Sequence, residues 1–181
     1  MALKATIFKA ELQIADIDGN YYHDHALTIA RHPSETDERM MVRLLAFALH
    51  ADEALAFGKG LSADDEADLW QKDLTGAIKL WIDVGLPDER SVRKACGRAE
   101  RVVIYSYGGR VADMWWEQAS GKLQRCENLT VLNLTSESSR ALAKLAQRNM
   151  RLHCTVQDGQ IWLSSQEERV LVELVPKKTG T

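Results

Sequence analysis

The stretch Ala77–Ala95, "AIKLWIDVGLPDERSVRKA", decides how the rest of the chain is read. Its first half is an apolar run. Leu80, Trp81 and Ile82 are apolar on both faces, as in a strand covered on both sides. Gly85 and Pro87 break the run, and "DERSVRKACGRA" from Asp88 continues as a helix. The next segment, "RVVIYSYG" at 101–108, is β-branched and aromatic and reads as a second strand. Asp83 stands at the end of the first strand. Asp is disfavoured in strands and costly to bury without a partner, so its position calls for an explanation.

Working outward, "ADMWWEQASGKL" (112–123) reads as a helix, "LTVLNL" (129–134) as a short strand and "SESSRALAKLAQRN" (136–149) as a helix with a Ser/Glu start. Upstream, "LKATIFKAELQIADI" alternates, "DGN" supplies a turn and "YYHDHALTIARH" alternates again, which predicts a hairpin over the first thirty residues. The period then becomes helical through "HPSETDERMMVRLLAFALHADE", with Ser34 as the expected N-cap and Met41, Leu44, Leu45, Ala48 and Leu49 as an apolar stripe. "LAFGKGLSADDEADLWQKDLTG" (55–76) reads as a loop entering a short strand or turn. "RLHCTVQDGQIWLSSQEERVLVEL" (151–174) reads as a second hairpin about "DG", and "PKKTGT" as a frayed tail. The expectation is a mixed α/β or α+β sheet in one domain over residues 1–181, with the two hairpins supplying edge strands.

Bulk properties narrow the function. A net charge of −3 and a pI near 6.0 argue against a general nucleic-acid coat protein, which needs a strongly basic face. They leave room for an enzyme touching nucleic acid through a local patch. Cys96, Cys126 and Cys154 form neither a zinc signature nor a disulfide framework, so reduced thiols in a cytoplasmic protein are expected. The N-terminus has no apolar core of a signal peptide, and no run is long enough to span a membrane.

Most familiar catalytic signatures are absent, including GxGxxG, GxxxxGK[ST], HExxH and GxSxG. "YGGR" at 107–110 reads as a strand-to-helix turn rather than a phosphate loop. His23 and His25 share one face of a strand, without an evident third ligand. The acids say more: Glu38 on the first helix, then Asp64, Asp65, Glu66 and Asp68 crowded ahead of Asp83. Two carboxylates and a carbonyl suffice for Mg²⁺, which takes oxygen ligands and keeps several waters. Lys94 on the following helix could face the same point and steady negative charge. The competing reading makes Asp68 a turn cap and has Asp83 pair with Arg93 or Lys94 to hold the helix on the sheet.

Across nearly its whole length the chain resembles the YaeQ family. The matching segments are "MALKATIFKAELQIADIDGNYY", "ARHPSETDERMMVRLLAF", "FGKGLSADDEADLW", "LWIDVGLPDERSVRKA", "WWEQ" and "VQDGQIWLS". The resemblance implies a variation on the PD-(D/E)XK, restriction-endonuclease-like core of order αβββαβ, here flanked by N- and C-terminal β-hairpins. It implies a Mg²⁺-dependent (or Mn²⁺-dependent) nuclease-type site, with DNA or RNA as substrate. Glu38 matches the helix glutamate, Asp68 the first acid and Asp83 the second. Asp68, Asp83 and the Val84 carbonyl would hold the ion, and Glu38 would orient its water or hold a second ion. Asp65 and Glu66 remain rivals to Asp68. Arg31, Arg90, Arg93 and Arg98 are candidate phosphate contacts, and Trp115 or Trp116 a candidate base-stacking platform, although adjacent tryptophans on a helix also suit a core.

Two positions depart from the pattern. Ala67 stands where the family often has proline. Gly85 stands where the superfamily has its lysine, which leaves Lys94 or Arg93 to replace it. The alternative is a catalytically inactive nuclease-like fold that binds nucleic acid or regulates.

Overall fold

In the computed structural model the described residues are 4–59 and 65–181. The described elements run β1 (Thr6–Asp16), β2 (Tyr21–Arg31), α1 (Asp37–Leu49), β3 (Leu55–Phe57), β4 (Leu69–Lys72), β5 (Ile78–Val84), α2 (Glu89–Arg98), β6 (Ala99–Ser106), α3 (Arg110–Leu123), β7 (Leu129–Leu134), α4 (Ser136–Ala143), β8 (Asn149–Gln157), β9 (Gln160–Ser164), β10 (Arg169–Val172) and β11 (Leu174–Lys178). The protein is thus a mixed α+β fold with two mixed sheets. Two compact units result, Met1–Leu49 with Glu137–Glu173 and His50–Ser136 with Leu174–Thr181.

The first unit carries a five-stranded sheet ordered β10-β9-β8-β1-β2. Its hairpins form for the reasons their sequences suggest. In β1, Phe8, Ala10, Leu12 and Ile14 are buried while Lys9, Glu11 and Gln13 between them are exposed, the two-residue alternation of a sheet with one covered face. Asn20 takes φ 55° in the first turn, and Asp158 and Gly159 take φ 53° and 76° in the second, the left-handed pair a two-residue hairpin turn requires. The Asp18 carboxylate accepts both N–H groups of that second turn at 2.8 Å.

The hairpins do not edge the central sheet as the sequence suggests. β1 runs parallel to β8, with Lys9 beside Asn149, and the two hairpins together make their own sheet. Strand patterning reveals which face is apolar but not which distant strand lies alongside.

α1 is buried continuously from Met40 to Ala48. Its cap is Thr36, whose Oγ1 accepts the Arg39 N–H at 3.1 Å, and not Ser34, which instead hydrogen-bonds His32. Asp37 and Glu38 occupy the first turn, where the helix dipole favours negative charge. Arg43 is the one charged side chain within the buried stretch, and Glu35 meets it with two contacts of 2.6 and 2.9 Å.

The second unit carries a six-stranded sheet ordered β11-β7-β6-β5-β4-β3. β5, β6 and β7 run parallel, joined through α2 and α3, while β3, β4 and β11 are antiparallel to their neighbours. Trp81, Val92, Ala95, Val102, Ile104, Leu123 and Val131 are among the residues of the core beneath the two helices. The segment 55–76 holds two strands rather than one. The tail is not frayed. Leu174–Lys178 pairs with β7, and Gly180 and Thr181 donate N–H bonds to Thr130 Oγ1 and the Glu127 carbonyl at 2.9 Å. Pro176 is tolerated because β11 is an outer strand, where a missing N–H leaves no ladder partner unsatisfied.

His50 and Tyr105 meet in this unit at 2.6 Å through Nε2 and the phenol oxygen. Burial, and secondarily the charge of Arg101, lowers the His50 pKa from 6.5 to about 4. A histidine kept neutral in the folded state gains its proton on unfolding between these two values. Stability therefore stays intact above pH 6.5 and declines as pH falls toward 4. The expected loss at pH 4.5 is about 2 kcal/mol, read as the fall in urea midpoint from pH 7. His50→Gln should flatten that part of the curve, and an unchanged pH slope in the variant would remove His50 as its source.

Candidate functional site

β4 and β5 bring two of the predicted acids face to face. Leu69 pairs with Ile82, so one step further along the antiparallel ladder sets Asp68 opposite Asp83, with both side chains on the same face. The Asp68 N–H donates to Asp83 Oδ1 at 3.2 Å, and the Val84 N–H donates to Asp68 Oδ2 at 2.8 Å. Both acids are half-buried. Because N–H and C=O of one strand residue point to the same edge, the Val84 carbonyl opens on the side of Asp68.

A tryptophan completes the arrangement. Trp81 lies two residues before Asp83, hence on the same face, and its Nε1–H donates to Asp83 Oδ2 at 2.9 Å. Trp70 stands opposite Trp81 in an edge-to-face contact at 5.7 Å. The Lys72 ammonium lies 3.8 Å from the Trp70 ring centre, and the Arg98 guanidinium 5.1 Å from that of Trp81. The sequence reading named Arg98 as a phosphate contact but missed Trp70, Trp81 and Lys72. The two-residue spacing of Trp81 and Asp83 was the available signal for the first of these.

A glycine positions Asp68 from the other side. Gly58 N–H donates to the Asp68 carbonyl at 2.9 Å, and a Cβ there would fall 2.0 Å from the Ala67 carbonyl oxygen. Ala67 itself is buried.

The rival acids separate from the pair. Asp65 is exposed and bound to Lys94 at 2.9 Å; that hydrogen bond, with the lysine's charge, lowers its pKa. Glu66 accepts the Lys59 N–H at 3.0 Å. Asp64 lies outside the described residues. Lys94 therefore has Asp65 as its partner, while Arg98 adds a 2.8 Å bond to the Asp65 carbonyl. Arg93 pairs with Glu89 at 3.0 Å, and Arg90 is exposed on α2.

Gly85 takes φ 100°, a left-handed conformation that strains any residue with a side chain. β5 ends at Val84, and the chain bends at Gly85.

Other predicted residues stand elsewhere. Glu38 lies in the first unit, where its carboxylate accepts the Ser139 hydroxyl at 2.7 Å. Arg31, also there, pairs with Asp37 and lies 5.0 Å from the Phe8 ring centre. Trp115 and Trp116 both pack against the core of the second unit, and Trp115 Nε1–H donates to the Pro87 carbonyl at 2.7 Å. Gly108 and Gly109 make the strand-to-helix turn ahead of α3. His25 bonds Tyr21 through Nε2 at 2.7 Å. Among the described residues no group of three or more His, Cys, Asp or Glu is placed to hold a metal. The site consists of a pair of carboxylates.

A family model described as YaeQ protein matches residues 1–174. The chain belongs to the YaeQ family. It is 48% identical over 174 residues to uncharacterized protein YaeQ of Escherichia coli (strain K12) and to that of Salmonella typhi, covering 96% of each chain. The crystal structure of YaeQ protein from Xanthomonas axonopodis pv. citri superimposes with a TM-score of 0.93 at 49% identity, over 97% of this chain and 99% of that one. YaeQ protein from Pseudomonas syringae gives 0.91 at 35% identity, over 97% of each. No helix among the described residues of this YaeQ chain is long and apolar enough to cross a membrane.

Proposed function

We propose that the protein is a cytoplasmic, Mg²⁺-dependent phosphodiesterase of the PD-(D/E)XK type acting on nucleic acid, with Asp68 and Asp83 at its centre. The observation that supports this reading is the meeting of the two carboxylates across the ends of β4 and β5. The described order of α1, β3, β4, β5, α2 and β6 is also the helix–three strands–helix–strand order expected of such a core. The donor set suits Mg²⁺ or Mn²⁺, because two carboxylates and the Val84 carbonyl are all hard oxygen ligands. When bound, the ion supplies positive charge that neutralises a phosphodiester and acidifies water.

The protein's own groups orient the site. Trp81 N–H and Asp68 N–H hold the two Asp83 oxygens, Val84 N–H holds Asp68, and Arg98 supplies positive charge on the same side of the sheet. Lys94 could serve a phosphate only by leaving Asp65.

Calorimetric titration of Mg²⁺ or Mn²⁺ tests the reading. Asp83→Ala is expected to weaken binding more than about 100-fold, beyond the loss usual for an outer partner. Equal binding by wild type and variant would remove the metal site. A second reading, a nuclease-like protein that binds nucleic acid without cutting it, is favoured by the Lys94–Asp65 pair and the left-handed Gly85. Retention of single- or double-stranded DNA or RNA without cleavage in Mg²⁺ would select it.

A further inference from the structure

We propose that Cys96 and Cys126 form a redox-active dithiol that closes to an intramolecular disulfide. Cys96 lies in the last turn of α2, and Cys126 in the segment between α3 and β7. Both are half-buried against the same core, and Cys126 lies near enough to act on the Cys96 thiol. The backbone holds the two segments together independently of the thiols. Asn128, two residues after Cys126, donates through Nδ2 to the carbonyls of Cys96 and Ala99, each at 3.0 Å. Cys126 itself is fixed by its N–H to the Leu123 carbonyl at 3.0 Å and its carbonyl to the Leu129 N–H at 3.2 Å. The third cysteine, Cys154, is fully buried in β8 of the first unit.

The chemistry requires an oxidant, and a small disulfide such as oxidised glutathione supplies it. Burial and the adjacent Cys126 push the Cys96 thiol up to about 12. In the proposed order the Cys126 thiolate attacks one sulfur of the oxidant, whose S–S bond breaks and releases one glutathione thiolate. The Cys96 sulfur then attacks Cys126 Sγ in the mixed disulfide and releases the second. The two cysteine protons end on the two glutathione thiols. The protein loses two electrons and the oxidant gains them. The new bond ties the end of α2 to the segment entering β7. α2 is also the helix whose Lys94 and Arg98 hold Asp65.

Peptide mass mapping after exposure of the folded protein to oxidised glutathione, acid quench and alkylation tests this. The expected result is a linked Cys96–Cys126 peptide pair, with free thiols falling from three to one and Cys154 remaining alkylated. Cys96→Ser should instead accumulate a glutathione adduct on Cys126. Three alkylated thiols after prolonged exposure, a lasting adduct on wild-type Cys126, or a linkage to Cys154 would each overturn the proposal.

Discussion

Arg43→Ala is expected to destabilise the protein by about 3–5 kcal/mol, because it leaves a carboxylate buried without its main partner. Glu35 and Arg43 are 6% and 4% exposed, and Arg43 makes two contacts to Glu35 and one of 3.1 Å to the Ala30 carbonyl. Arg39 still reaches Glu35 Oε2 at 2.7 Å, which places the loss toward the lower end of that range. The double variant Glu35→Leu/Arg43→Met removes both charges and keeps apolar volume, so it should recover most of the stability. Urea unfolding of the three proteins measures this. A loss under about 1 kcal/mol for Arg43→Ala would put the pair in the class of surface ion pairs and overturn the account of α1.

Trp81 carries the second large effect, on two links at once. Trp81→Ala removes a side chain that is 4% exposed beneath α2 and opposite Trp70, and should cost about 3–5 kcal/mol. Trp81→Phe separates packing from orientation. It retains an aromatic ring in the core but deletes the N–H that holds Asp83 Oδ2. Its stability loss should stay near 1–3 kcal/mol, as for a hydrogen bond to a charged group. Its Mg²⁺ affinity, by contrast, should fall about 10–100-fold, as for an outer partner of a metal ligand. Calorimetry showing wild-type affinity in Trp81→Phe would mean that the indole serves packing alone.

The elements that could be read from the sequence were those with a strong local cause. β7 was legible to the residue, and β5, α2, β6 and α3 nearly so, because their periods and breakers agree along the chain. What failed was long-range. The parallel match of β1 to β8, and the antiparallel match of β11 to β7, depend on surfaces far apart in sequence, for which alternation carries no information. The site divided along the same line. Asp83 was legible as an acid ending an apolar strand, but the choice among Asp65, Glu66 and Asp68 required the β4–β5 register. One residue of slip would have turned Asp68 to the opposite face. The place of Lys94 on α2 predicts a reach toward the acids, and its ammonium lies on Asp65, an exposed carboxylate beside that helix.

The pairing of β1 with β8 also governs the order in which a growing chain can mature. The N-terminal hairpin is made first, yet its lateral neighbour is encoded beyond Asn149. At a synthesis rate of about 5–20 residues per second, the hairpin waits on the order of ten seconds with one long edge unmatched. During that interval Phe8, Leu12 and Ile14 of β1 lack β8, the strand that later flanks them, and an open apolar strand edge invites pairing with other chains. The second unit meets the same condition more mildly, since it lacks only β11. Nascent-chain truncations ending before Asn149 should thus be the aggregation-prone species of this protein, and the final quarter of the sequence acts as the completing clasp for what was synthesised first.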